Sequence, residues 1–364
     1  MEYYANGKIL RGLGGLYCIR LDRSAGQTDN AEQHVPDTPA GSAGSPGTAA
    51  EPCSPLAGHD ILCRAKGAFR HAGITPLVGD RVKVRYTDAS FTRTADGKTP
   101  GGSPCEVIPS PDGTDVRIED IIDRRNSLIR PAMANLDELF IFMAAASPAP
   151  LLDVVDKLIS IAEFNEIEPV IVIGKCELDP QNAARITEIY RQAGFSVFPL
   201  SAKTGEGVGA VREFVRQTLP GHTAAFSGAS GVGKSSLLNT LFPDLHLETS
   251  EVSRKIGRGR HTTRRVELYP LDFDGVTGYL ADTPGFSMLD FVRFDFFGKD
   301  DLPGTFREFR PYLGHCRYTS CTHTKEEDCA IVQAVRAGKI PNSRHDSFLS
   351  MYRDLKDKHD WDKK

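Results

Sequence analysis

No stretch of this chain is long and apolar enough to span a bilayer. The first residues, Met1-Glu-Tyr-Tyr-Ala-Asn-Gly-Lys8, lack a basic region followed by an apolar one. No secretory signal is therefore expected, and the cytosol is the expected compartment. A disulfide framework is missing as well. Of eight cysteines, Cys18, Cys53, Cys63, Cys105 and Cys176 are scattered, whereas Cys316, Cys321 and Cys329 cluster with histidines, as metal ligands do. Nor is there a large charge of one sign. A net charge of −4 excludes a uniformly basic nucleic-acid binder and leaves local basic faces open. Between Ser24 and Gly58 there is no Lys or Arg at all. That segment is rich in Ala, Pro, Gly, Ser and Thr, cannot bury a core, and reads as a disordered insertion that the fold tolerates as loop length.

What is present suits a protein of two or three domains: 364 residues, 40% of them hydrophobic and 25% charged. The first part reads as short strands. Lys8-Ile-Leu-Arg11 and Leu16 to Leu21 are joined by Gly12-Leu-Gly-Gly15. Ile61 to Arg70 follows, then Pro76 to Tyr86, in which Val82, Val84 and Tyr86 alternate with Arg81, Lys83 and Arg85 as in a half-buried strand. After a polar loop from Thr87 to Pro104 come Glu106-Val-Ile108 and Val116 to Ile122. Short strands with long polar loops predict a small OB-type β-barrel. Its Arg64, Lys66, Arg70, Arg81, Lys83 and Arg85 fit either an RNA-facing surface or a solvated outer face.

From about Arg124 strands alternate with helices. Leu139 to Ala144, Pro169 to Ile173 and Phe195 to Leu200 are apolar strands; Leu151–Phe164, Gln181–Ala193 and Val208–Leu219 have helical spacing. This predicts a parallel α/β sheet covered on both faces. Val266 to Tyr269 and Val276 to Ala281 read as an antiparallel pair. From about Leu302 the chain is polar and helical, ending in an amphipathic helix from Pro341 to Lys358 with Phe348, Leu349, Tyr352 and Leu355 on one face.

The strongest motif lies in the α/β part. Gly228, Ala229, Ser230, Gly231, Val232, Gly233, Lys234 and Ser235 have the spacing G-x-x-x-x-G-K-S of a phosphate-binding loop. The apolar His222 to Phe226 precedes it as a strand, and Ser236 to Phe242 follows as a helix. That context supplies a helix N-terminus with free N–H groups, which is an anion site. Lys234 is expected to reach the β- and γ-phosphates and Ser235 to bind Mg²⁺. Asp282-Thr-Pro-Gly285 follows a strand. There the aspartate can hold the Mg²⁺ shell and the Gly285 N–H can meet a γ-phosphate.

Small GTPases place base-reading motifs after this point, and here none follows. Two lie upstream instead. Gly174-Lys175-Cys176-Glu177 and Ser201-Ala202-Lys203 each end a strand and match the N-K-x-D and S-A-K motifs in position and form. The order is therefore permuted, which leaves the three-dimensional site intact.

With these motifs in hand, the chain resembles the circularly permuted GTPases that assist assembly of the small ribosomal subunit, the RsgA or YjeQ family. The resemblance is carried by Pro76 to Val82, Arg130 to Asp137, Leu200 to Gly207, Gly228 to Ser236, Gly257 to Thr263, Asp282 to Phe286 and the Cys316 cluster. It implies an OB-type domain over 1–123, a permuted GTPase domain over 124–301 and a zinc-binding helical domain over 302–364. It also implies a monomeric GTP hydrolase with GTP and GDP as ligands and the small subunit and its rRNA as partners. It points to His261 as the group that handles the attacking water, since Phe286 stands where many GTPases have Gln. Thr263, with Thr262 as the alternative, would complete the Mg²⁺ shell.

One departure stands out. The first base-reading motif has Gly174 and Glu177 in place of Asn and Asp. Glu177 can still accept hydrogen bonds from guanine, through a longer arm. Restoring both residues is expected to tighten GTP binding.

Cys316-x4-Cys321-x-His323-x5-Cys329 offers three thiolates and one imidazole, a closed set for a structural Zn²⁺, with His315 as a competing ligand that the resemblance disfavours. Chelation is expected to unfold this segment and spare the GTPase core. Two further readings compete with a ribosome-stimulated GTPase: an RNA-binding scaffold with a degenerate nucleotide site, and a hydrolase with relaxed base choice.

Overall fold

The computed structural model describes residues 2–22, 58–87, 91–93, 107–109, 116–128, 132–242, 266–273, 276–282 and 297–356. The chain forms two compact units, Met1–Arg124 and Arg125–Lys364.

The first unit is a closed five-stranded barrel. Its strands are β1 (Glu2–Leu13), β2 (Leu16–Leu21), β3 (Asp60–Ala65), β4 (Arg81–Thr87) and, two strands further on, β7 (Arg117–Ile121). β1 pairs antiparallel with β2 and β4, β2 antiparallel with β3, β4 antiparallel with β7, and β3 parallel with β7, which completes the ring. Closure leaves no barrel strand with an open edge at these pairings. The alternation read from the sequence holds: Val82, Val84 and Tyr86 are buried with Ile9, Ile19, Ile61 and Ile118, while Arg81 and Lys83 face outward. A short helix, α1 (Gly67–His71), follows β3. Among the described residues of the loop expected from Thr87 to Pro104 is a strand, β5 (Phe91–Arg93), antiparallel to β6 (Val107–Pro109). Three residues are too few to show a period of two.

Three of the basic residues of the barrel, Lys66, Arg81 and Arg85, face acids. Lys66 lies 2.9 Å and Arg85 3.4 Å from Glu119, and Arg81 pairs with Asp22. The hydrogen bond from Lys66, then that from Arg117, holds Glu119 below the usual carboxylate range. Arg64 and Lys83 stay exposed, Lys83 over the Tyr4 ring at 5.0 Å. Asp80, fully buried, accepts from the Leu77 backbone and from both ends of the Arg124 guanidinium at 2.7 and 2.8 Å, which pins the turn before β4.

The second unit begins with a small hairpin, β8 (Ser127–Leu128) and β9 (Met133–Ala134). Then come β10 (Glu138–Ala144), α2 (Leu152–Phe164), β11 (Glu168–Gly174), α3 (Pro180–Gln192) and β12 (Ser196–Pro199). They are followed by α4 (Val208–Thr218), β13 (Thr223–Gly228), α5 (Lys234–Leu241), β14 (Glu267–Phe273) and β15 (Val276–Asp282). The strands lie in the order β12-β11-β10-β13-β15, parallel throughout, with β14 antiparallel on β15. Every residue of β10 and β13 is buried, as expected for parallel strands with both faces covered. Phe140, Phe226, Leu237, Leu241 and Val215 fill one face. The chain moves from β10 outward through β11 to β12, then returns to β13 on the other side of β10. That reversal leaves a crevice at the carboxyl ends of β10 and β13.

The C-terminal segment packs within this second unit. Two 3₁₀ turns, Leu302–Thr305 and Arg307–Tyr312, lead to α6 (Ala330–Arg336) and α7 (Asn342–Lys356). The final helix forms where its periodicity predicts, but its buried stripe is Arg344, His345, Phe348, Met351 and Leu355, with Leu349 and Tyr352 half-buried. Arg344 is 0% exposed. Its Nε donates to Glu308 and its Nη1 to Asp156, each at 2.6 Å, while the Tyr190 hydroxyl donates to the same Asp156 oxygen at 2.9 Å. Phe306 lies against the guanidinium plane at 4.6 Å. The two carboxylates raise the Arg344 pKa further, against the effect of burial. Outside this core, Arg310 and Arg307 bind Glu163 and Glu168 at 2.6 and 2.7 Å.

Arg344→Met leaves Asp156 and Glu308 buried without a cation. The variant is expected to lose about 3–5 kcal/mol in urea unfolding of this unit, and most of that is expected to return when Asp156→Leu and Glu308→Leu are added. A loss below about 1 kcal/mol, the scale of an exposed pair, would contradict this account.

Candidate nucleotide site and metal centre

The phosphate loop leaves β13 at the crevice. A Cβ on Gly228 would come 2.6 Å from the Phe142 carbonyl of β10, so only glycine lets the two strand ends meet. Gly231 and Gly233 take positive φ, 81° and 97°, which wraps the loop before α5. Gly233 is the N-cap of α5, and no side chain caps that end. The first helical N–H groups and the helix dipole thus point at the concavity where an anion would sit. Ala229, Ser230, Gly231 and Ser236 are exposed, Lys234 and Ser235 half-buried, and Val232 is buried in the core.

The two base-reading turns stand side by side, because β11 and β12 are neighbours. The Cys176 N–H donates to the Leu200 carbonyl at 3.2 Å, and the Leu200 N–H to Ile173 at 2.8 Å. Lys175 has φ 57°, and its Nζ donates to the Ser147 carbonyl at 2.6 Å. Glu177 is exposed, and the buried Ser201 lies beside it. The Ser201 hydroxyl first, with lesser help from Lys203 and Lys175, holds the Glu177 carboxyl below the ordinary carboxylate range. Ser201 in turn accepts from the Thr204 N–H at 3.1 Å, and its own N–H donates to Glu206. Ala202 is half-buried and Lys203 exposed. An ionised carboxylate so held suits an edge that presents two adjacent N–H donors. Sequence reading paired the motifs but missed their direct bond and the Ser147 anchor, which is 28 residues from Lys175 and carries no local signal.

β15 lies beside β13, with Ala225 opposite Ala281, so the backbone of Asp282 ends at the same edge. The Asp282 side chain, and all of His261, Thr262, Thr263 and Gly285, lie outside the described residues.

The expected metal ligands converge. One atom each from Cys316, Cys321, His323 and Cys329 lies within 4.8 Å of the others. His323 Nδ1 is 3.5 Å from the sulfurs of both Cys316 and Cys329, and those sulfurs are 3.8 Å apart. A tetrahedral ion with bonds of about 2.3 Å to sulfur and about 2.0–2.1 Å to nitrogen separates its ligands by about 3.5–3.8 Å. The cradle therefore fits a metal ion, and His315 is no part of it. Burial pushes the Cys321 thiol up to about 12, helped by the adjacent thiols, and burial lowers the His323 pKa. A cation at the centre would reverse the first effect by stabilising thiolates. The His345 imidazole, on α7, donates to the His323 carbonyl at 2.9 Å.

The likeness to known proteins agrees with this geometry. The RsgA GTPase family profile matches residues 121–292, and the RsgA N-terminal domain profile matches 57–91. A small ribosomal subunit biogenesis GTPase RsgA from Caldanaerobacter subterraneus is 38% identical over 97% of this chain and 96% of its own length. A protein of the same name from Moorella thermoacetica is 41% identical over 79% and 88%. The crystal structure of YjeQ from Thermotoga maritima superposes with a TM-score of 0.67 at 26% identity, covering 98% of this chain and all of that one. That of YloQ, described as a circularly permuted GTPase, gives 0.64 at 27%, covering 98% and 96%. The barrel, the permuted order of motifs around the phosphate loop and these likenesses converge: the chain belongs to the RsgA family of GTPases.

Proposed function

We propose that this GTPase serves assembly of the small ribosomal subunit, binds its rRNA, and hydrolyses GTP faster when bound to the subunit. What supports the reading is one edge of one sheet. It gathers the phosphate loop, the Glu177–Ser201 pair and the end of β15, within a chain 38% identical to a relative named for that role. A scaffold with a degenerate site has no need for that assembly. The protein acts as a monomer in the cytoplasm on this reading, and among the described residues no helix is long and apolar enough to cross a membrane.

In this assignment the N–H groups of Gly231, Gly233 and the start of α5 hold the β-phosphate, and Lys234 bridges to the γ-phosphate. Ser235 and Thr263, with Thr262 as the alternative, would hold Mg²⁺, with Asp282 on its water shell, and the ion would neutralise charge on the phosphate oxygens. Glu177 accepts from the guanine N–H edge, Lys175 packs its stem on the base, and Ser201, Ala202 and Lys203 close the other side. His261 orients the water, and Gly285 registers the γ-phosphate. Cys316, Cys321, His323 and Cys329 hold a structural Zn²⁺, leaving no open position for catalysis.

GTP hydrolysis is expected to exceed ATP hydrolysis and to rise when purified small subunits are added. Equal rates on both nucleotides, or no response to subunits, would contradict the proposal. His261→Ala is expected to lower turnover by about 10²-fold or more with GTP affinity nearly unchanged; full turnover removes His261 from its role. Chelation, followed by hydrogen exchange, is expected to expose amides of residues 316–330 first. Residues 302–312 and 342–356 should stay protected, since Phe306, Phe309, Phe348 and Arg344 anchor them without the metal. Simultaneous exposure of all three stretches would show that the metal holds the whole segment.

A further inference from the structure

The glycine that departs from the base-reading motif sits against the phosphate loop. Gly174 is the last residue of β11, and a Cβ built on it would lie 2.8 Å from the Val232 carbonyl oxygen and 3.7 Å from that of Met143. A Cβ does not approach a backbone oxygen at 2.8 Å without one of them moving. Gly174 is not among the residues with positive φ, so backbone freedom is not what requires glycine here. Room is what requires it.

Neither partner of this contact can easily withdraw. On the strand side, the Gly174 carbonyl accepts from the Ala145 N–H at 2.8 Å, and all of β11 is paired to β10 in parallel register. On the loop side, the Val232 side chain is 2% exposed and belongs to the core cluster that also holds Phe142, Val172, Leu200 and Leu237. The Val232 peptide is thus held between a core pocket and the bare face of Gly174. Its flanking residues, Gly231 and Gly233, are the two whose positive φ forms the anion cradle.

We propose that Gly174 is a positioning residue for the phosphate loop: the missing side chain lets the Val232 carbonyl close onto the end of β11 and so sets the cradle at Gly231–Gly233. This rests on the reading of that cradle as the nucleotide-phosphate site. It means that the Gly174 and Glu177 departures are not two losses from one motif. The strand end at 174 serves the phosphate half of the ligand, and Glu177, held by Ser201, serves the base half. On this proposal Asn at 174 weakens GTP binding, against the expectation for the joint Gly174→Asn, Glu177→Asp change, because an Asn side chain begins with the Cβ for which there is no room.

The test compares wild type, Gly174→Ala and Gly174→Asn as full-length proteins. Dissociation constants are measured for GDP and GTP, and for guanosine, which keeps the base and lacks phosphates. Gly174→Ala is expected to weaken GDP and GTP about tenfold, as overpacking by one buried carbon does, with guanosine within about twofold of wild type. Gly174→Asn is expected to weaken the nucleotides at least as much. Adding Val232→Ala, which loosens the loop from the core, is expected to restore part of the GDP affinity of Gly174→Ala. If Gly174→Asn does not fold, Gly174→Ala with the Val232→Ala rescue decides. Wild-type GDP affinity in Gly174→Ala, tighter binding in Gly174→Asn, or an equal loss for guanosine and GDP would each overturn the proposal. Failure of the wild type to bind any guanine nucleotide would instead overturn the functional reading beneath it.

Discussion

One guanidinium without solvent contact organises the larger unit. Arg344 joins three elements that are far apart in sequence: α7, which carries it, α2 through Asp156, and the second 3₁₀ turn through Glu308. A buried cation is tolerated only when its donors are met, and here two carboxylates and three aromatic rings surround it. Tyr190 extends the network to α3. The next residue, His345, turns the other way and holds the carbonyl of His323, in the Cys/His cluster. Two consecutive side chains therefore tie the metal loop on one side and the α/β layer on the other.

The nucleotide edge rests on a different constraint, the close approach of strand ends in a parallel sheet. β10, β11, β13 and the loop after β13 come so close that the backbone oxygens of Phe142 and Val232 lie 2.6 and 2.8 Å from where a Cβ would be on Gly228 and Gly174. The turns that follow inherit this geometry. Cys176 bonds to Leu200, and Glu177 stands beside Ser201, so the two turns proposed to read the base lie together next to the phosphate loop. Permuting the order of strands along the chain does not touch these contacts, because each is made between strand ends and not along a connection.

Most of this was legible in the sequence, for definable reasons. The strands and helices of the α/β layer follow from apolar runs and from helical periodicity, and the phosphate loop follows from glycine spacing. The convergence of Cys316, Cys321, His323 and Cys329 was read from clustering of Cys and His in a polar segment. Arg344 was not legible: at a helical position an arginine reads as surface, and only the acids at 156 and 308 reveal it as core. The same holds for Glu119, which lies near Lys66, Arg85 and Arg117. Gly174 read as a missing amide because a sequence shows what a residue lacks, whereas the 2.8 Å approach of Val232 shows what occupies the space.

The docking of the C-terminal segment also has a kinematic consequence. A module joined to its neighbour by the chain alone keeps its rotational and translational freedom, and a macromolecule that grips it must first quench that freedom. Here Arg344, the clamps of Arg307 and Arg310 on Glu163, and Lys157 on Asp354 at 3.2 Å remove those degrees of freedom beforehand. The helix that takes these contacts, α2, leads into β11, the strand that ends at Gly174.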